Sequence, residues 1–438
     1  MANPVPVQVL FFFLSLFHAH ASTSTTHASK VDVPYTSIIL PIRKDVATTQ
    51  YHTIIDFQIS SNPVKATLDL GGQNFWFNCD HINVSTAHPI PCASPKCKTL
   101  LDGKPTCTSR SSKAAATTST CAVSASNSVT GLVVCGQSLY ESSISVDTSD
   151  GRLYLFSEQL SPFYFACSSP GSSLFQGLAK VSAGLIGLGR SPLALHKQVT
   201  SSLNLAPKFA ICLPAYDKYY GGSMFIGGGP YYVANRTAAF FSVSLTTTPL
   251  VTAPSASNEY FIDVLAIKVD GQPLRFDSSL LSIDNHGVGG TKLSTVNRFT
   301  VLHTSIYKAL VHEFVSKAAA RNITRVASVA PYEACFSVKS TAGTRTGPRV
   351  PTIDMVLPGN MNNVVWRIYG VNSMVKAKKD VMCLGFVDGG YNARTSIVLG
   401  GHQLEDYLIE FDLSTSRLGF SSSLHLQYTA CASASRLF

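Results

Sequence analysis

Short runs of alternating apolar and polar residues recur along the chain, separated by clusters of Gly, Ser, Asn, Asp and Pro. This is how half-buried strands joined by turns read. Tyr51 to Ile59 and Val64 to Leu68 alternate in this way on either side of the turn Ser60-Ser61-Asn62-Pro63. Strands are expected again at Leu132-Val133-Val134 and Ser143 to Val146, and the turn Ser149-Asp150-Gly151 leads into Arg152 to Phe156 as a hairpin. Further strands are expected at Phe163 to Cys167, Met224 to Ile226, Tyr260 to Val269 before the turn Asp270-Gly271, and Val364 to Ile368. Helices are short in this reading, one starting at Ser191 to Leu195 and one at Ser305 to Leu310. Cys79 to Gly131, rich in Ser, Thr, Ala and Cys with little periodicity, predicts disulfide-held loops. The pattern is that of an all-β protein.

Composition narrows the class. Charged residues make up 13% of the chain and hydrophobic ones 45%, and 438 residues suffice for two lobes with a core each. The run Val7 to Phe17 ends in Ala19-His20-Ala21, a cleavage-type pattern, so residues 1–21 read as a signal peptide. No other run approaches the roughly 20 apolar residues that span a bilayer, and a secreted protein without membrane association is expected. Sequons at Asn83, Asn235 and Asn322 suit that route as glycosylation sites. So do the 11 cysteines, dispersed along the chain and lacking zinc-site spacing, which leaves one thiol odd. Neither a metal nor a cofactor is expected. The net charge of +9 comes without a basic run, which argues against nucleic acid and for an acidic partner.

The candidate chemistry centres on Ala66-Thr67-Leu68-Asp69-Leu70-Gly71-Gly72-Gln73-Asn74-Phe75-Trp76. One carboxylate stands on a glycine-bearing turn at a strand end, and either a catalytic acid or a turn-capping Asp suits the loop by itself. The stretch resembles the first catalytic loop of the pepsin-like aspartic proteases: Asp69, Gly71, Asn74 and Trp76 match, while Leu70 and Gly72 replace the usual Thr and Ser. Ala183-Gly184-Leu185-Ile186-Gly187-Leu188-Gly189 lacks the surroundings of a dinucleotide loop and resembles the strand that threads past the catalytic loop in that fold. Where a second catalytic Asp belongs, the chain reads Gly289-Gly290-Thr291-Lys292-Leu293-Ser294-Thr295-Val296. Ser294 takes the Asp position and Val296 the Gly position. Ile397-Val398-Leu399-Gly400-Gly401, Phe411-Asp412 and Arg417-Leu418-Gly419-Phe420 resemble the family's closing signature. The resemblance implies a bilobal pepsin-like fold, with an N-terminal lobe over 22–240 and a C-terminal lobe over 241–438. No flap match is found: Tyr140 and Tyr154 lie where that hairpin is expected, and neither precedes Gly.

With one carboxylate, the shared-proton dyad of aspartic proteolysis cannot form, so Asp69 and Ser294 are read as vestigial and the protein as no enzyme. The two altered loops together resemble the plant group of non-proteolytic pepsin-like proteins that includes basic seven-S globulin, extracellular dermal glycoprotein, nectarin IV and wheat-type xylanase inhibitors. That resemblance implies a protein of the apoplast or cell wall that inhibits a microbial glycoside hydrolase, an endoglucanase of the xyloglucan-cleaving kind or a xylanase. Such enzymes flank their cleft with two carboxylates about 5 to 9.5 Å apart, which a loop guanidinium can bridge. Arg394 and Arg345 are the contact candidates it implies, and each also reads as an ordinary solvated arginine. It further implies the bridges Cys335–Cys383 and Cys212–Cys431. A storage or binding protein that recognises a small peptide or an acidic wall polysaccharide is the alternative. His303 and His402 read as satisfied histidines at the core or its rim.

Overall fold

The structure, a computed structural model, describes residues 34–57, 63–81, 87–103, 106–108, 119–152, 154–216, 221–234, 240–253 and 258–434. Segment 1–21, Asn83 and Asn235 lie outside the described residues.

Alternation is expressed directly in the strand Phe75–Asn78. Phe75 and Phe77 turn to one face and meet Phe57, Phe163 and Phe165, with ring centroids 5.1 to 6.0 Å apart. Trp76 turns to the other face, where its ring meets Phe175 edge-on at 5.4 Å. The strand is therefore buried on both sides, which accounts for its unbroken aromatic run.

From Tyr35 onward the chain forms one compact unit, built on a twenty-stranded sheet system with smaller sheets beside it. The two halves are joined by strand pairing. Lys208–Cys212 runs antiparallel to Leu408–Asp412, and Thr246–Val251 antiparallel to Arg417–Phe420. Phe209 stacks on Phe411 at 4.6 Å, and Tyr260 packs on the same ring at 4.6 Å, contacts worth about 1 kcal/mol each beyond the area they bury. The helix Thr304–Ala320 covers the second half with Ile306, Leu310, Val311, Phe314 and Ala318 on its buried face. His303 caps it, its Nδ1 accepting from the Ser305 backbone N at 3.2 Å, and the left-handed Asn322 follows its end.

Two expectations are corrected. Cys79 to Gly131 holds more than loops: its strand Thr120–Asn127 pairs antiparallel with the long strand Leu132–Ser149. Its inward residues include Ala122, Ala125 and Asn127, too small or too polar to register as an apolar stripe. Tyr260 to Val269 is two strands, because Phe261–Ile262 pairs with Thr291 and Lys292 while Ala266–Val269 pairs with Ile353 to Val356 in another sheet.

Disulfides close Cys79–Cys167, Cys97–Cys121, Cys212–Cys431 and Cys335–Cys383, and Cys92 is also bridged. Cys135 is a free, exposed thiol.

Candidate functional site

Strand register defines two equivalent loops. Val64–Asp69 runs parallel to Gly184–Gly187, with Leu68 opposite Ile186 and Asp69 opposite Gly187. Thr291–Leu293 runs parallel to Ile397–Leu399, with Leu293 opposite Leu399. Ile186 and Leu399 each precede the glycine that threads past its loop, so Leu68 and Leu293 are equivalent. Asp69 and Ser294 follow them. The glycines are required by close approach: a Cβ on Gly187 would lie 2.5 Å from the Gly72 carbonyl oxygen, and one on Gly72 would lie 2.8 Å from the Gly187 Cα. A serine at position 72 does not fit without displacing backbone.

The loops are clasped from one side only. The Thr295 hydroxyl donates to the Leu68 carbonyl at 2.7 Å and accepts from the Leu70 backbone N at 3.2 Å. Leu70, the residue equivalent to Thr295, has no hydroxyl to return the bonds and is fully buried instead. The Ser294 hydroxyl donates to Asn297 Oδ1 at 2.8 Å and accepts from the Asn297 backbone N at 3.1 Å, so it is spent within its own turn.

Asp69 is buried. Its Oδ1 accepts from the Gly71 backbone N at 2.9 Å, and its Oδ2 accepts from the Ser128 hydroxyl. Burial pushes its carboxyl up from the ordinary value, with these two hydrogen bonds opposing the shift. The Glu259 charge adds to the rise, but Lys292 neutralises Glu259 at 2.6 Å. No shared-proton pair results.

Ser128 stands in the turn between Thr120–Asn127 and Leu132–Ser149, so this hairpin closes over the loop, one hairpin earlier in the chain than the Tyr140 to Tyr154 region. It is fastened from below. Trp76 Nε1 donates to the Ser126 carbonyl at 2.8 Å, and Asn74 Nδ2 donates to the Ser124 carbonyl at 3.0 Å. Buried Asn127 donates to the carbonyls of Leu174 and Gln176 at 2.8 Å each and accepts from the Val129 backbone N at 2.8 Å. The lone carboxylate is covered by protein.

The candidate contact arginines differ. Arg394 is exposed, and its side chain has no acceptor among the described residues. Its loop is braced: Gly289 N donates to the Arg394 carbonyl at 2.8 Å, His303 N to the Ser396 carbonyl at 2.7 Å, and Gly389 N to the Leu302 carbonyl at 2.8 Å. His303 Nε2 meets the Tyr391 carbonyl at 2.8 Å. Arg345 stands on the small hairpin Gly343–Thr344 with Gly347–Pro348. Its guanidinium lies 3.4 Å from the Tyr428 ring centroid and donates to the Leu426 carbonyl at 2.8 Å and to the Tyr428 hydroxyl. Arg394 is open and Arg345 is engaged. Asn322 is exposed, and beside it Arg321 binds Asp270 and the Val350 carbonyl.

His402 has both nitrogens occupied, Nδ1 toward Glu405 at 3.1 Å and Nε2 toward the Met374 carbonyl at 3.2 Å. Among the described residues no group of His, Cys, Asp or Glu is placed to hold a metal, and no helix is long and apolar enough to cross a membrane. Sequence reasoning missed Ser128 and Asn127, because Ala125 and Asn127 occupy buried positions where larger apolar residues would have marked a strand.

Strand order, paired loops and the covering hairpin define a bilobal, pepsin-like all-β protein. Residues 51–228 match the family model described as xylanase inhibitor N-terminal, and residues 259–422 the one described as xylanase inhibitor C-terminal. A Nicotiana benthamiana protein named probable aspartic proteinase GIP2 is 43% identical over 430 residues, 94% of this chain and 94% of that one. Among solved structures, EDGP is similar at 41% identity and a TM-score of 0.84, covering 91% of this chain and 98% of that one. Soybean basic 7S globulin is similar at 28% and 0.76, covering 92% and 99%. The chain belongs to this pepsin-like family of the xylanase-inhibitor type.

Proposed function

We propose that this is a secreted, proteolytically inactive pepsin-like protein that inhibits microbial glycoside hydrolases of the plant cell wall, of the xyloglucan-specific endoglucanase type. In this reading 22–240 and 241–438 are the two lobes, and Ser294 stands in place of the second catalytic carboxylate. The observation that carries it is Arg394, an exposed guanidinium without an acceptor among the described residues, on a loop whose backbone is tied on both sides. Such preorganisation lowers the entropic cost of docking. A planar, permanently charged fork entering a cleft between two carboxylates bonds both and excludes the sugar. The net charge of +9 speeds encounter with an acidic cleft. Arg345 contributes a second contact only by exchanging Tyr428 and the Leu426 carbonyl for the partner's acceptors.

The test is inhibition of a xyloglucan-specific endoglucanase and of a xylanase by the purified protein. Arg394→Ala is expected to weaken inhibition at least about 30-fold, the loss of roughly 2 kcal/mol typical of a hot spot, and Arg345→Ala by less. A casein digest at acid pH serves as control, and cleavage abolished by pepstatin contradicts the inactive reading. Similarity to basic 7S globulin supports a second reading, a storage or peptide- or wall-binding protein. Absence of inhibition of both enzymes at micromolar protein favours it.

A further inference from the structure

We propose that the cavity at the junction of the two halves binds a short oligouronate, a chain of sugar acids such as an oligogalacturonate, with Arg298 and Lys376 as the residues that receive its carboxylates. The cavity has a volume of about 300 Å³, at the lower end of the range of small-molecule sites. Lys44 and Tyr51 of the first half line it together with Arg298, Phe299, Val375 and Lys376 of the second. It gives the wall-binding reading a site, and it stands whether or not a glycosidase is inhibited, since Arg394 has no part in it.

The lining carries more positive than negative charge: Lys44, Arg298 and Lys376 stand against one carboxylate, Glu405. That carboxylate is buried and already engaged, accepting from Lys44 and from the Tyr51 hydroxyl at 2.6 Å and facing His402 at 3.1 Å. Lys44 also donates to the Ala215 carbonyl at 3.1 Å, so this pair is satisfied within the protein. Arg298 and Lys376 remain, both exposed and neither with an acceptor among the described residues. Arg298 is also held in place. Its guanidinium lies 4.7 Å from the Phe299 ring centroid, and Phe299 is braced edge-on by Tyr332 at 5.4 Å and by His402 at 5.8 Å. The Arg298 carbonyl accepts from the His402 backbone N at 3.0 Å, which ties its backbone to the same wall. A cation positioned beforehand loses little freedom when an anion arrives.

The spacing of the cations selects among anions. Lys376 lies on the strand Met374–Lys378, and Lys378, two residues further on, is again exposed and without an acceptor among the described residues. Cations strung along a surface suit an anion whose charges are also spaced, whereas a compact phosphate needs donors that converge on one point. A uronic acid chain bears each carboxylate on a stiff ring, so its charges are ordered before binding. An acidic peptide suits the site less well. The strand is at a sheet edge, but its pairing slips between Lys376 and Lys378, which spoils the edge for an added strand. Edge lysines serve that protective end by themselves, which accounts for Lys378 but not for Arg298, on a separate loop lining the same cavity. Tyr216, 71% exposed on the lining, offers a ring face to the C–H face of a sugar.

Titration calorimetry on the full protein at low salt tests this, with trigalacturonate set against its methyl ester, a triglutamate peptide and inorganic phosphate. Trigalacturonate is expected to bind, and the ester at least about tenfold more weakly, because the charge-assisted bonds are lost. Arg298→Gln is expected to weaken trigalacturonate by about tenfold, and Lys376→Gln combined with Lys378→Gln by a similar factor. Lys65→Gln combined with Lys180→Gln removes the same charge from the lining of a different cavity and is expected to leave binding unchanged. All five side chains are exposed, so the variants are expected to keep the wild-type Tm, and a loss of binding then reports on the site. The proposal is overturned when trigalacturonate does not bind, when the ester, the peptide or phosphate binds as tightly, when the cavity variants bind it as wild type does, or when the Lys65 and Lys180 pair weakens it as much as they do. No arm reads glycosidase inhibition, so this outcome and that of the inhibition assay are separate.

Discussion

His196 shows how one side chain sets an acid limit on the fold. It is fully buried near the start of the helix Leu195–Ser202, its ring tilted against Phe209 with centroids 4.5 Å apart, and neither ring nitrogen has a hydrogen-bond partner. Burial, aided by the charges of Lys197 and Arg190, pushes its pKa down to about 3. The folded state therefore keeps the ring neutral while the unfolded chain protonates below an ordinary pKa of about 6.5. Between these values the unfolded state binds the extra proton, so stability falls as pH falls. At pH 5 the deficit relative to pH 7 is about 2 kcal/mol. His196→Leu removes both the titration and two unsatisfied nitrogens. Thermal unfolding of the variant is expected to show a higher Tm at pH 7 and a larger gain at pH 5. A gain independent of pH would show that His196 is not the group that titrates. Asp69 contrasts with it: a carboxyl pushed up by burial costs stability as pH rises, and the hydrogen bonds from Ser128 and Gly71 limit that cost.

Among elements, the covering hairpin separates this protein from one that could admit a peptide to Asp69. Asn127 is its fastening, with three hydrogen bonds made from a fully buried side chain. Asn127→Ala leaves the Leu174 and Gln176 carbonyls short of donors and is expected to cost about 2 to 3 kcal/mol. Hydrogen exchange is expected to quicken in residues 122–135 before it does in Phe75–Asn78. Unchanged protection there would mean that the hairpin is held by something else. This element was the least legible in the sequence, because alanines and an asparagine fill the places where Val or Ile would have signalled a strand. Strands with large apolar residues, such as Val64–Asp69 and Val364–Ile368, announce themselves through periodicity, whereas the helix Thr304–Ala320 was read only over Ser305 to Leu310 and proves longer. The strings around Asp69 and Ser294 were legible too, since each is local. What sequence could not disclose is pairing across the chain. Thr295 reaches Leu68 and Leu70, and Arg345 reaches Leu426 and Tyr428, only after folding.

At the scale of the whole molecule, the two halves are tied by the Cys212–Cys431 bridge, by the shared strands and by one buried ionic cluster. Glu405, from the second half, accepts from Lys44 and from the Tyr51 hydroxyl at 2.6 Å, both in the first half, and faces His402 at 3.1 Å. Burial pushes the Glu405 carboxyl up, but His402 and Lys44 outweigh it and hold the carboxyl below its ordinary value. A depressed carboxyl stabilises the fold above its unfolded pKa of about 4.3, and that contribution is lost as pH falls through the folded value. Glu405→Gln keeps the shape and removes the charge, leaving the Lys44 ammonium without its anion in a largely enclosed place. A loss of about 3 kcal/mol is expected at pH 7, the scale for breaking a buried pair from one side. The difference from wild type should shrink as the pH is lowered below 4, where the wild-type carboxyl itself takes up a proton. Denaturant unfolding of both proteins from pH 7 to pH 3 measures it, and curves that stay parallel throughout would mean that the junction rests on the shared strands and the bridge, with Glu405 acting by shape alone.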